Sequence, residues 1–144
     1  MSEHTEQVFI FQWAKLNEGT IPALRELFSI PNGAFTKTRQ HGSKLVKEGL
    51  RAGVPDMFLA CPVPGFAGLF IELKHKKGTA SPAQKRWLGR LNSAGYKAVV
   101  CKGKDHAIKT IIGYLSLRYD LKIVAKEGGA IPIEIKGCCE RDTK

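Results

Sequence analysis

Apolar residues recur along this chain at two different spacings, and the changes between them mark out its elements. From Glu3 to about Asn17, Phe9, Ile10, Trp13 and Leu16 fall at helical intervals and predict an amphipathic first helix. Ile21 to Ile30 contains Pro22 and reads as a turn entering a short strand, closed by the turn residues Pro31-Asn32-Gly33. Thr36 to Arg51 is a basic helix whose stop is Gly49 or Gly53, either a C-cap glycine or a linker into Asp56. Met57-Phe58-Leu59-Ala60 and Leu69-Phe70-Ile71 are apolar runs too short for helices. With Pro62, Pro64, Gly65 and Gly68 between them they predict a pair of buried strands.

Ser81-Pro82-Ala83-Gln84 opens the next helix, with Ser81 as cap, Pro82 at the first helical position and Gln84 completing a capping box. Trp87, Leu88 and Leu91 are its inward stripe, and Trp87 reads as packing rather than a base-stacking platform. Tyr96 to Lys102 is a third buried strand, and Lys104 to Leu117 a closing helix with Ile108, Ile111, Ile112 and Leu115 inward. The order helix, strand, helix, strand, strand, helix, strand, helix predicts an α/β fold, a central mixed β-sheet flanked by helices. In the tail, Leu121 to Val124 and Ile131 to Ile135 predict a small hairpin around Glu127-Gly128-Gly129, with Pro132 confining the second strand to an edge. Glu134 and Lys136 read as alternating charge on that edge.

The 144 residues are 43% hydrophobic, enough for one core. Lys and Arg number 23 against 13 Asp and Glu, a net charge of +10 that favours a polyanionic partner, nucleic acid or an anionic membrane surface. The basic residues are clustered. Lys74, Lys76, Lys77, Lys85, Arg86 and Arg90 meet no acid between Lys74 and Arg90, and Lys37, Arg39, Lys44, Lys47 and Arg51 face only Glu48. Each run taken alone suits a solvated face, and together they flank the acids at 56 and 72 and suit phosphate contacts. A membrane-surface role lacks the exposed aromatic-rich amphipathic helix it would need. No apolar run approaches the ~18 residues of a membrane span and no signal segment opens the chain, which predicts a cytoplasmic protein with no membrane partner. The four cysteines lack zinc spacing and read as reduced thiols, and the four histidines share no ligand spacing.

Chemistry concentrates between Gly53 and Lys74. Asp56 opens one strand, and Glu72 and Lys74, two apart, share a face of the next. Two carboxylates and an ammonium beside apolar strands must pair or bind a cation. Two readings stay open. Lys74 salt-bridges Asp56 or Glu72, or the acids hold Mg²⁺ or Mn²⁺ with the Leu73 carbonyl as a third oxygen while Lys74 orients water or steadies phosphate charge.

Pro55-Asp56 followed by Glu72-Leu73-Lys74 resembles the PD-(D/E)XK nuclease superfamily. Ile30-Pro31-Asn32-Gly33, Lys44-Leu45 with Glu48-Gly49, Ala52 to Asp56, Gly68 to Lys74, Ser81 with Gln84 and Trp87-Leu88, and Gly95-Tyr96 resemble its virus-type replication-repair nuclease (VRR-NUC) domain, above all the small phage and prophage members. The resemblance covers about residues 1 to 118 and leaves 119 to 144 as a tail. It implies a restriction-endonuclease-like fold and a Mg²⁺- or Mn²⁺-dependent nuclease whose catalytic residues are Asp56, Glu72, Lys74 and Gln84. The metal would be held by Asp56, Glu72, Leu73 and, from the first helix, Glu3, whose spacing to Gln7 fits the family, with Glu6 as fallback. Asn32, Lys44, Lys76, Lys77 and Arg86 would contact DNA. The implied substrate is branched DNA, a four-way (Holliday) junction above all, cut by a homodimer. Flap cleavage and a catalytically inactive basic DNA-binding protein are the alternatives.

Overall fold

The computed structural model describes residues 1–31, 38–125 and 133–142. Helix α1 (Glu3–Asn17) leads through a 3-10 turn (Pro22–Glu26) into β1 (Leu27–Ser29), followed by α2 (Arg39–Lys47), β2 (Met57–Leu59), β3 (Leu69–Lys74), α3 (Pro82–Ser93), β4 (Lys97–Lys102) and α4 (Lys104–Leu115). A hairpin of β5 (Tyr119–Ala125) and β6 (Ile133–Glu140) ends the chain. Strands β1 to β3 are antiparallel neighbours, and β4 joins β3 in parallel after the α3 crossover, so the sheet is mixed as expected.

The register separates two faces. Met57 pairs with Ile71, Ile71 with Val99 and Leu73 with Cys101, and this face packs on Ile10 and Trp13 of α1 and Ala107, Ile108 and Ile111 of α4 in the hydrophobic core. On the opposite face Phe28, Phe58 and Phe70 are successive cross-strand partners. Phe58 stacks on Phe70 with ring centroids 4.2 Å apart. Helix α3 covers this side, held by Asn92, whose amide bonds both the N–H and the carbonyl of Ala98. Glu72 and Lys74 belong to this second face.

Several expectations need correction. Leu16 is 65% exposed, and the inward stripe of α1 is Ile10, Trp13, Ala14 and Asn17. Asn17 stands one helical repeat on from Ile10, and a polar residue suits this buried place because its amide donates to Trp13 O and accepts from Ile135 N–H of β6. Trp87, Leu88 and Leu91 are only half-buried, and Trp87 meets the loop before β2, its Nε1 donating to Ala52 O. Helix α2 begins at Arg39 behind the cap Thr38, and none of its residues is buried. It stops at Gly49, whose φ of 106° is left-handed, with Leu50 N–H bonded back to Leu45 O. The tail hairpin runs on to Glu140 and contributes buried Ile135 to the main core, and Trp13 Nε1 donates to Ile133 O. Pro132 and Glu127 to Gly129 lie outside the described residues. Among the described residues no helix is long and apolar enough to cross a membrane.

Candidate active site

Pairing of β2 with β3 puts Asp56, one residue before β2, across from Glu72. The approach to Asp56 depends on Gly53. Its φ is 89°, and a Cβ there would stand 2.8 Å from the backbone carbon of Ala83, so only glycine lets this loop touch the first turn of α3. Asp56 O then accepts from Ile30 N–H at 2.7 Å, and Asp56 Oδ2 from Leu73 N–H at 2.8 Å. Glu72 is 2% exposed. Its Oε1 accepts from Gln84 Nε2 at 2.9 Å and stands 3.5 Å from Lys74 Nζ. Its Oε2 is buried as well.

The capping box expected at α3 is complete: Ser81 Oγ accepts Gln84 N–H, and Gln84 Oε1 accepts Ser81 N–H at 2.8 Å. Gln84 thus caps its helix with the amide oxygen and holds the buried acid with the amide nitrogen.

Burial, and after it the charge of Asp56, raise the Glu72 carboxyl to about 8, against the pull of Lys74. Asp56 is raised as well, chiefly by burial. The Leu73 N–H, a hydrogen bond with the Glu72 carboxyl and Lys74 oppose that shift, and the Glu3 charge adds to it. Two acids that resist ionising side by side form a hard-oxygen donor set that a divalent cation completes. The residues fit a hard divalent cation on that chemistry, although among the described residues no three His, Cys, Asp or Glu side chains stand together as a preformed metal centre.

Glu3 reaches the same neighbourhood from α1. It lines a cavity of about 680 Å³ together with Asp56 and Leu73, and its Oε1 accepts from His75 N–H at 3.1 Å. Glu6 turns away and lies against Gly103 at the start of α4, where a carboxylate favours the helix N-terminus. Between the two acids of the first helix, the cavity takes Glu3.

The basic residues are spread more widely. Lys76 and Lys77 are exposed on the loop leaving β3. Arg86 is exposed on α3 and shares a 280 Å³ hollow with Arg51, Arg90 and Trp87. Lys44 is exposed on α2, 3.9 Å from Glu48. Asn32 lies outside the described residues. Lys102 carries a role that sequence reading did not assign: it is the β4 partner of Lys74, and its ammonium donates to Gly78 O, pinning the loop that bears Lys76 and Lys77. The parallel register of β3 and β4 would have pointed to it. The four cysteines are unpaired thiols, two of them buried.

No protein of curated function matches the chain. A solved structure described as a VRR_NUC domain protein is similar to it, with 29% identity and a TM-score of 0.70 over 81% of this chain and 90% of that one. The VRR-NUC domain model matches residues 3–105, the span that holds every residue of the acid cluster. On that match and this geometry the chain belongs to the VRR-NUC domain family, with its PD-(D/E)XK-like fold, and membership implies a divalent-metal-dependent nuclease acting on DNA.

Proposed function

We propose that the protein is a Mg²⁺- or Mn²⁺-dependent endonuclease of branched DNA, a four-way junction first of all, working as a homodimer in the cytoplasm. The nuclease unit is residues 1–118, with 119–144 as an extension. The observation that supports this reading is the juxtaposition of two acids at the sheet end, Glu72 buried at 2% exposure across from Asp56. Asp56, Glu72, the Leu73 carbonyl and Glu3 would hold the metal, which supplies Lewis-acid polarisation of the phosphate and a more acidic water.

The protein's own residues set the stage for that chemistry. Leu73 N–H fixes Asp56, Gln84 fixes Glu72, and His75 N–H fixes Glu3, so the carboxylates are held before substrate arrives. Lys74, 16% exposed and 3.5 Å from Glu72, would orient a water or meet developing negative charge on phosphate. Lys44, Lys76, Lys77, Arg86 and Asn32 are the proposed contacts to the DNA backbone, which positions the duplex without reading its sequence. Junction preference and dimerisation rest on resemblance to the small phage members, where two sites on a two-fold axis match a junction's symmetry.

Cleavage of labelled linear, flap and four-way-junction DNA with Mg²⁺ or Mn²⁺, run beside sedimentation, tests the whole reading. Paired nicks on opposing junction strands by a dimer are expected. A monomer that cuts flaps and spares junctions would move the substrate to flaps, and no cleavage of any DNA would leave a basic DNA-binding protein.

A further inference from the structure

The cavity beside the acids is larger than a phosphate and its metal require. From Glu3 it follows α1: Gln7, Val8, Phe11, Gln12 and Lys15 also line it, at 4, 5, 8, 9 and 12 residues further on, one face of the helix. That is about 18 Å of groove at 1.5 Å per residue. Val8 is 42% exposed and Phe11 half-buried, so both present apolar surface to open space. Gln7 and Gln12 set amides, with donors and acceptors on each, along the same wall. Among the described residues the lining holds no acid beyond Glu3 and Asp56, and Lys15 brings a positive charge at the far end.

Apolar surface for a ring face, amides for its edge and a cation one step on match the chemistry of an unstacked nucleotide. The groove is continuous with the acids, so its occupant is joined to whatever is cut there. We propose that this groove takes the nucleobase next to the scissile phosphate, out of its stack, against Phe11 and Val8. Its edge meets Gln7 and Gln12, and the following phosphate meets Lys15. The inference rests on the nuclease reading and adds to it a demand for a nucleotide that is unpaired or easily unpaired, which is cheapest at branch points.

The test uses junction and flap DNA carrying 2-aminopurine, which brightens when unstacked, stepped along the strand and bound to the full chain in EDTA. One position should brighten severalfold. Phe11→Ala and Val8→Glu should each remove at least half of that rise, Val8 being a surface position whose substitution spares the core. In Mg²⁺, an abasic site at that position should raise KM by about tenfold or more for the natural chain, the size of one base-stacking contribution, and should cost Phe11→Ala little further. No brightening at any position, or equal brightening in both variants, overturns the proposal. Loss of a dimer in Val8→Glu without any 2-aminopurine signal would give the groove to a second copy and also overturn it. Brightening without cleavage of any DNA keeps the base site and ends the nuclease reading; cleavage indifferent to the abasic site does the reverse.

Discussion

Gln84 and Glu72 are joined by a 2.9 Å hydrogen bond whose donor is the other half of a helix cap. One amide therefore couples the stability of α3 to the orientation of a buried acid. Ser81→Ala should remove the cap and cost about 1 kcal/mol while leaving cleavage within a few-fold. Gln84→Ala should cost similar stability and also lower cleavage, since Glu72 loses its orienting donor. Urea unfolding and kcat on one DNA substrate separate the two; equal kcat in both variants would reduce Gln84 to a cap.

Asp56→Asn and Glu72→Gln each remove a carboxylate charge and almost no volume. Each should lower kcat by about 100-fold or more, the loss seen when a preorganised electrostatic group is deleted. DNA affinity by anisotropy should hold. Metal-dependent turnover surviving in both variants would end the assignment of the acids.

The raised Glu72 carboxyl gives the metal-free protein a stability that falls with alkali. Its folded value, about 8, lies above the ordinary 4.5, so the native state holds a proton that the unfolded state has released. Stability from this group is complete below about pH 4.5 and is lost as pH climbs to about 8. Asp56, also raised, acts in the same direction. Unfolding in EDTA should therefore show this decline in the natural chain and a flatter profile in Glu72→Gln. Mg²⁺ should stabilise most at the alkaline end, because binding no longer has to expel that proton.

Neutralising Lys76, Lys77, Arg86 and Arg90 should weaken duplex binding and flatten its salt dependence by about 0.9 in log–log slope per lost phosphate contact. An unchanged slope would direct attention to α2, where Lys44 and Lys47 are exposed.

Asn17→Ala leaves the buried Ile135 N–H without its acceptor and removes the side-chain donor from the Trp13 carbonyl, which keeps its helical bond. A loss of about 1–3 kcal/mol is expected. Proteolysis should cut the β5–β6 hairpin faster in this variant, as β6 is released from α1.

Much of the site was readable because its rules are local. Ser81, Pro82 and Gln84 act within one helical turn, and Glu72 and Lys74 share a face through strand alternation alone. That Glu3 lines the cavity with Asp56 while Glu6 lies against Gly103 depends on the start of a distant helix. Leu16 misled because apolar spacing on α1 carries no sign of the hairpin that claims Asn17. The role of Lys102 depends on a parallel register, and the groove along α1 depends on the gap between that helix and Ser29 of the edge strand; neither is a property of any single segment. The hairpin's length was missed because Gly137 and the adjacent cysteines lack an alternating pattern.

The closeness of Asp56 to β3 along the chain bears on how the site assembles during folding. Asp56 meets Leu73 across 17 residues, whereas Glu3 meets His75 across 72. Closing the shorter loop costs about 1 kcal/mol less in chain entropy. The two strands can therefore bring their acids together early, through a contact of low sequence separation, and the helix that supplies the third carboxylate docks onto a pair already made.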